Sequence, residues 1–290
     1  MKLIACDIHR TRNRISGYLS LTFFWRNNLG SLAKYRSVLI MFGLGLVAGV
    51  LGGLLGIGGG TLVVPGLVIF FGFNQHRAHG TSLLIALILA ASGVFTYYRH
   101  GDVNLLVAIE IAIGGVIGAV IGARVANLMR GKMLRKVFSI FLVVVGIQMA
   151  VAGLHIGVAG HKAAPLFVND AILGTLTVIG VGLLTGFMSA LLGIGGGMVM
   201  VPALTIILCV PQKMAHGISL AAMIPTAFTG MLMHRARGNV DFTVGKWVGL
   251  GSAIGAALGA TLAVSLEASI LKIIFGVFLM LMAILMAIKK

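Results

Sequence analysis

The sequence predicts an all-α integral membrane protein built from two homologous, inverted-topology repeats, each with about four full transmembrane helices plus a short re-entrant or broken helix. Three observations carry this: an apolar composition, an internal duplication at a fixed offset, and basic residues gathered on one side of the apolar runs. Of the 290 residues, 59% are hydrophobic and 10% are charged, against about a quarter charged in an average soluble domain. No water-soluble core hides that much apolar surface, so the bilayer is the solvent. A net charge of +16 would suit a nucleic-acid partner if it formed one patch. Lysine and arginine instead stand in short segments between apolar runs, where they set topology and speak against nucleic acid.

Residues 1–37 hold Lys2, Arg10, Arg12, Arg14, Arg26, Lys34 and Arg36 around a modest apolar stretch from Leu19 to Trp25. No small-residue cleavage site precedes the first long apolar run, so the segment reads as a basic cytoplasmic arm lying on anionic lipid. Repeat 1 follows at 38–152, a linker at 153–170, and repeat 2 at 171–290. An offset of 137 residues relates the repeats: Leu54 to Leu67 reads LLGIGGGTLVVPGL and Leu191 to Leu204 reads LLGIGGGMVMVPAL, identical at ten of fourteen positions, more than shared apolar composition explains.

Apolar segments fall at about 38–57, 61–73, 80–98, 103–123 and 133–152, then at 171–194, 198–210, 217–234, 242–264 and 269–288. The second of each set is a dozen residues, short of the ~20 that a span needs. If it continues the first helix, the repeats run parallel; if the chain turns back at GIGGG, each half crosses an odd number of times and the second is inverted. Turning back puts eighteen lysines and arginines on the side of the arm and four on the other. The positive-inside rule therefore selects inverted repeats, multi-pass in the cell (inner) membrane, with both termini cytoplasmic.

The glycine clusters are the candidate site. Gly58 to Gly60 and Gly195 to Gly197 make a continuous helix costly at about 1 kcal/mol per glycine relative to alanine, and Pro65 and Pro202 are expected in the first turn of a restarted helix, where a missing N–H costs nothing. Unpaired backbone groups cannot face lipid, so the breaks line a protein cavity. A restarted helix offers free N–H groups and about half a positive charge at its N-terminus. Inversion brings two such termini, at Gly60–Thr61 and Gly197–Met198, together near mid-membrane, which suits a small anion. Thr61 adds a hydroxyl that Met198 cannot match. Glycines 114, 118 and 122 and glycines 251, 255 and 259 read instead as helix-packing faces.

The doubled motif, Gly49 to Leu67 and again Gly186 to Leu204, resembles the sulfite exporter family of TauE/SafE type over about residues 38–288, with the arm before Val38 outside the resemblance. The resemblance implies a multi-pass carrier of sulfite, organosulfonates or related sulfur-containing anions. An anion channel of the same architecture is the alternative, because backbone N–H groups select ions without alternating access.

Two further polar clusters share the offset: Gln75, His79 and Ser82, and Gln212, His216 and Ser219. They are expected either to complete the anion site with hydrogen bonds or to cap helices at the membrane surface. Glu110, the one acidic residue well inside an apolar run, is the candidate for proton coupling, although its counterpart is Trp247. His100 to Asn104 and Arg237 to Asp241 read as tight turns capping the next helix. No metal spacing and no nucleophile–base pair stands out. GIGGG lacks the full dinucleotide fingerprint and has no acidic residue about 20 positions on, so neither enzyme activity nor a cofactor is expected.

Overall fold

The computed structural model describes residues 31–126, 131–154, 171–192 and 196–288. The arm up to residue 30, the linker from 155 to 170 and Gly195 lie outside them. Among the described residues there are ten helices and no strand: α1 Ser31–Leu55, α2 Gly60–Phe71, α3 Gln75–Arg99, α4 Leu105–Ala126, α5 Gly131–Leu154, α6 Ala171–Leu192, α7 Gly197–Ile206, α8 Gln212–Ala236, α9 Phe242–Ser265 and α10 Ala268–Ile288. Five stretches of described helix are long and apolar enough to cross a membrane: Ser37–Leu55, His76–Arg99, Gln212–Ala236, Phe242–Ser265 and Ala268–Leu285. Exposed Ile109, Ile113 and Ile117 on α4 and Val277, Leu281 and Ile284 on α10 recur at helical spacing, as the lipid-facing stripe of a membrane helix does.

Small residues set the closest helix approaches. Along the α1–α9 seam Gly45 lies on Val248, Gly49 on Ser252 and Gly53 on Ala256, while Gly251, Gly255 and Gly259 lie on Phe42, Leu46 and Val50. The α4–α6 seam repeats this, with Gly114 and Gly118 on Ile179 and Leu183, and Gly182 and Gly186 on Ile111 and Gly115. Both are small-residue faces that let backbones meet. A Cβ at Gly255 would run into the backbone of Leu46, Val50 and Gly49, none of which can swing away. Gly255→Ile is therefore expected to push α1 off α9, seen as loss of the monodisperse peak on size exclusion in detergent.

The same contacts give helix directions. Gly52 lies against Gly59 and Gly66 against Leu44, so α2 doubles back along α1. Gly93 meets Leu220 while Gly230 meets Leu83, so the equivalent helices α3 and α8 run antiparallel. In the same way Gly153 meets Ile273 and Gly146 meets Met280, which sets α5 against α10. By contrast α1 and α9 run parallel, and α9 and α3 do too, with Gly245 on Leu84 and Gly249 on Ile88.

Turn chemistry follows the sequence. Asn74 accepts from the Arg77 N–H, Asn104 from Leu106 and Val107, and Asp241 from Thr243 and Val244, each an N-cap satisfying donors that the helix leaves open. Gly101 and Gly238 adopt left-handed φ of 78° and 70° in the turns before two of these caps. The prolines depart from expectation. Pro65 and Pro202 each stand sixth in their helix, past the first turn, because α2 and α7 begin directly at the last glycine of each motif. Neither proline has an N–H to return to the carbonyl four residues back, at Thr61 and Met198.

Candidate functional site

The first break begins where α1 stops at Leu55. Gly56, Gly58 and Gly59 then take left-handed φ of 66°, 69° and 67°, a region that costs an L-residue about 1–2 kcal/mol. Stopping a helix in the middle of a membrane leaves its last carbonyls without partners. Here the Tyr97 hydroxyl donates to the Gly53 carbonyl at 2.9 Å, the His216 Nδ1–H to the Leu54 carbonyl at 2.9 Å, and the Ser219 hydroxyl to the Gly56 carbonyl at 2.9 Å. The Gln212 amide nitrogen stands 2.9 Å from His216 Nε2. With Nδ1 donating, Nε2 is the acceptor and the ring is the neutral tautomer. His216 and Ser219 are fully buried and Gln212 is 2% exposed.

The cluster of the second half thus caps the break of the first. In the first-half cluster, the Gln75 side chain lies outside the described residues, His79 is partly buried, and Ser82 donates to the His79 carbonyl. Its counterpart partner, the second break around Gly195, lies outside the described residues as well.

The starts of α2 and α7 meet. The Thr61 hydroxyl donates to Met198 Sδ at 3.5 Å, a contact between positions exactly one repeat apart, and Gly197 packs so tightly on Gly56 and Ile57 that a Cβ has no room. Gly58 abuts Met223 of α8 and Gly59 abuts Leu89 of α3, residues near the middle of two 25-residue helices, so the meeting point lies at mid-depth. Gly58, Gly59, Gly60, Thr61, Gly197 and Met198 therefore come together. Gly196 caps α7 in right-handed conformation, φ −63°, whereas Gly59 caps α2 in the left-handed one, so the two starts are alike in place but not in backbone. Thr61 is 8% exposed, Ile57 1% and Met198 0%. In this conformation the meeting point is closed.

The sequence profile described as sulfite exporter TauE/SafE matches residues 15–149 and 178–290, most of the chain and both breaks. The chain belongs to the TauE/SafE family. The profile match begins at residue 15, so part of the basic arm belongs to the family pattern, contrary to the motif-based limit at Val38. Among curated relatives, the chain is similar to the probable membrane transporter protein YunE of Bacillus subtilis, 28% identical over 250 residues that cover 75% of this chain and 88% of that protein. It is also similar to the probable membrane transporter protein MJ0441 of Methanocaldococcus jannaschii, 32% identical over 66% of this chain and 70% of the relative, and to one from Xylella fastidiosa, 30% identical over 72% and 78%. No solved structure matches it. The protein is a member of a membrane transporter family.

In this TauE/SafE protein Glu110 is placed elsewhere: its carboxylate accepts from Thr175 across the α4–α6 seam at 3.0 Å. Among the described residues no group of three histidines, cysteines or carboxylates is arranged to hold a metal. A cavity of about 590 Å³ lies between α3, α4 and α8, lined by Val94, Ala108, Ala112, Ala221, Ile224 and Pro225 among other apolar residues. On the equivalent surface Leu84 and Ile88 fill the space over Gly245 and Gly249; here Ala221 and Pro225 leave it empty. It has nothing to bind an anion with.

Three contributors escaped the sequence. Tyr97, fully buried, completes the cap of the first break; its signal was the pairing of two polar aromatic residues, Tyr97 and His234, at the 137-residue offset. Met223 covers Gly58. Arg77 pairs with Asp241 at 2.6 Å, tying the start of α3 to the start of α9.

Proposed function

We propose that the protein is a carrier, operating as an exporter, for a small sulfur-containing oxyanion such as sulfite or an organosulfonate. The anion binds near mid-membrane between the two glycine breaks, at Gly58, Gly59, Gly60 and Thr61 and at Gly195, Gly196, Gly197 and Met198. The convergence of the α2 and α7 N-termini at Thr61 and Met198 carries this reading: two helix starts, each with about half a positive charge, aim at one point. The family description names sulfite, which supports the choice of anion.

The two halves, at 38–152 and 171–290, act as inverted-topology repeats around this point, with the arm and both termini in the cytoplasm of an inner-membrane protein. The antiparallel courses of α3 and α8 and of α5 and α10 support inversion, and the one-sided basic residues support the orientation. Gln212, His216 and Ser219 serve the site indirectly by holding its backbone, and Gln75, His79 and Ser82 stand in the equivalent place for the second break. The closed meeting point favours a carrier over an open channel.

Proteoliposomes test this. Sulfite uptake is expected to saturate and to accelerate several-fold when the lumen is preloaded with unlabelled sulfite; thiosulfate, sulfate and short alkyl sulfonates in the same assay rank the substrates. Single-channel currents without exchange would move the protein to the channel class, and absence of any flux or binding would remove the anion reading.

A further inference from the structure

The offset of 137 residues gives each side chain around the first break a counterpart in the other half, and at one place the chemistry differs. At the first break Tyr97 meets the His216 ring edge-on, centroids 6.4 Å apart, and each donates to a carbonyl of α1. The counterpart of Tyr97 is His234 and that of His216 is His79. A phenol beside a fully engaged imidazole in one half becomes two imidazoles in the other.

His234 lies in the last turn of α8 with its Cβ against Gly80, next in sequence to His79. His79 and His234 are close enough to interact electrostatically, and each does so with His76 as well. The Nδ1 atom of His234 is buried and has no hydrogen-bond partner among the described residues, whereas both ring nitrogens of His216 are engaged.

The surrounding groups decide what a proton does here. On α3 the neighbours are His76 and Arg77; at the end of α8 they are Arg235 and Arg237. Ahead of α9 stands Asp241, the one carboxylate at this end among the described residues, and it is already taken by Arg77 and by the N–H groups of Thr243 and Val244. Lys246, a turn further along α9, lies over Trp247. A proton taken up by the pair therefore meets like charge, and repulsion falls across the contact between the start of α3 and the end of α8.

We propose that His79 and His234 form a proton-binding site particular to the second half, whose occupancy loosens the α3–α8 contact on that face and admits the anion there. Tyr97 and His216 leave the first half without such a site. Only the admission of the anion rests on the carrier reading; the proton site stands on the histidines.

Hydrogen–deuterium exchange on the full chain in nanodiscs tests it without a transported substrate. At about pH 8 and about pH 4.5, an interval that runs well below the ordinary histidine value near 6.5 because like charge surrounds the pair, and after correction for intrinsic exchange, residues 76–84 and 230–241 are expected to lose protection by about tenfold in acid. His234→Tyr, which installs the residue of the first half, is expected to abolish that difference, and His79→Gln serves the same purpose if the tyrosine variant does not fold. Tyr97→His is expected to confer the response on residues 93–104 and 213–221, the counterparts of those segments. Equal protection at both pH values in the wild type, or an undiminished difference in the folded variant, overturns the proposal. An exchange response in a protein that carries no sulfite, thiosulfate or sulfonate in liposomes would support the proton site and sink the anion reading.

Discussion

Gly59→Leu is expected to reduce anion flux to the level of empty liposomes. Gly59 holds φ at 67° and a Cβ there would stand 2.7 Å from Leu89 Cδ1 and 3.2 Å from the Ala48 carbonyl oxygen. Left-handed strain of about 1–2 kcal/mol is joined by a collision with the floor of the hairpin. Rotating Leu89 relieves part of it, but the Ala48 carbonyl belongs to α1 and cannot yield. The start of α2 must shift, and with it the N–H groups proposed to bind the anion. The measurement is initial sulfite flux beside a thermal melt: a protein that melts normally and still transports would separate the glycine break from binding. Gly196→Leu is the milder partner, because Gly196 is right-handed and leucine meets no backbone strain there; a graded loss of flux, smaller than for Gly59→Leu, is expected.

His216→Leu is expected to be the most destabilising single change at the site. It leaves the Leu54 carbonyl without its donor and the Gln212 amide without its acceptor, both inside a fully buried pocket. Each buried polar group without a partner costs about 1–3 kcal/mol, and several kcal/mol lowers the melting temperature of a chain this long by about 5 °C or more. Ser219→Ala, which removes the donor to the Gly56 carbonyl, is expected to fall by about half as much. Ser82→Ala supplies the contrast: its hydroxyl bonds a carbonyl three residues back in its own helix, and its loss should shift the melt by only about 1–2 °C. Equal shifts for Ser219→Ala and Ser82→Ala would mean that the cross-half bonds do not hold the break.

The helical architecture was legible because the same constraint was written twice. Two copies of GIGGG followed by Val-Pro in register, with a dozen apolar residues after each, left a continued helix or a turn back, the one-sided basic residues selected the turn, and Gly66 lying on Leu44 is that turn. The packing glycines and the caps at Asn104 and Asp241 were equally readable, since each rests on local spacing. Thr61 lies on Met198, and these are the two positions at which the glycine runs mark a restarted helix.

What the sequence concealed was which side chains belong to which break. His216 lies 162 residues from Leu54, and nothing local to Gln212, His216 and Ser219 tells a surface cap from a partner for another helix end. The prolines were misplaced for a simpler reason: a glycine run gives no internal mark of where the new helix starts, and it starts at the last glycine. Tyr97 looked like one more aromatic residue near a helix end until the carbonyl it serves was visible.

The long reach of the cap along the chain bears on biosynthesis. When α1 and α2 leave the ribosome, the residues that satisfy the Leu54 and Gly56 carbonyls have yet to be made; they arrive with α8, more than half the chain later. Until then the nascent first hairpin carries bare carbonyls into a medium with no water to serve them. It must wait at the membrane surface, be sheltered by the insertion machinery, or remain a continuous helix that breaks only when its partner arrives.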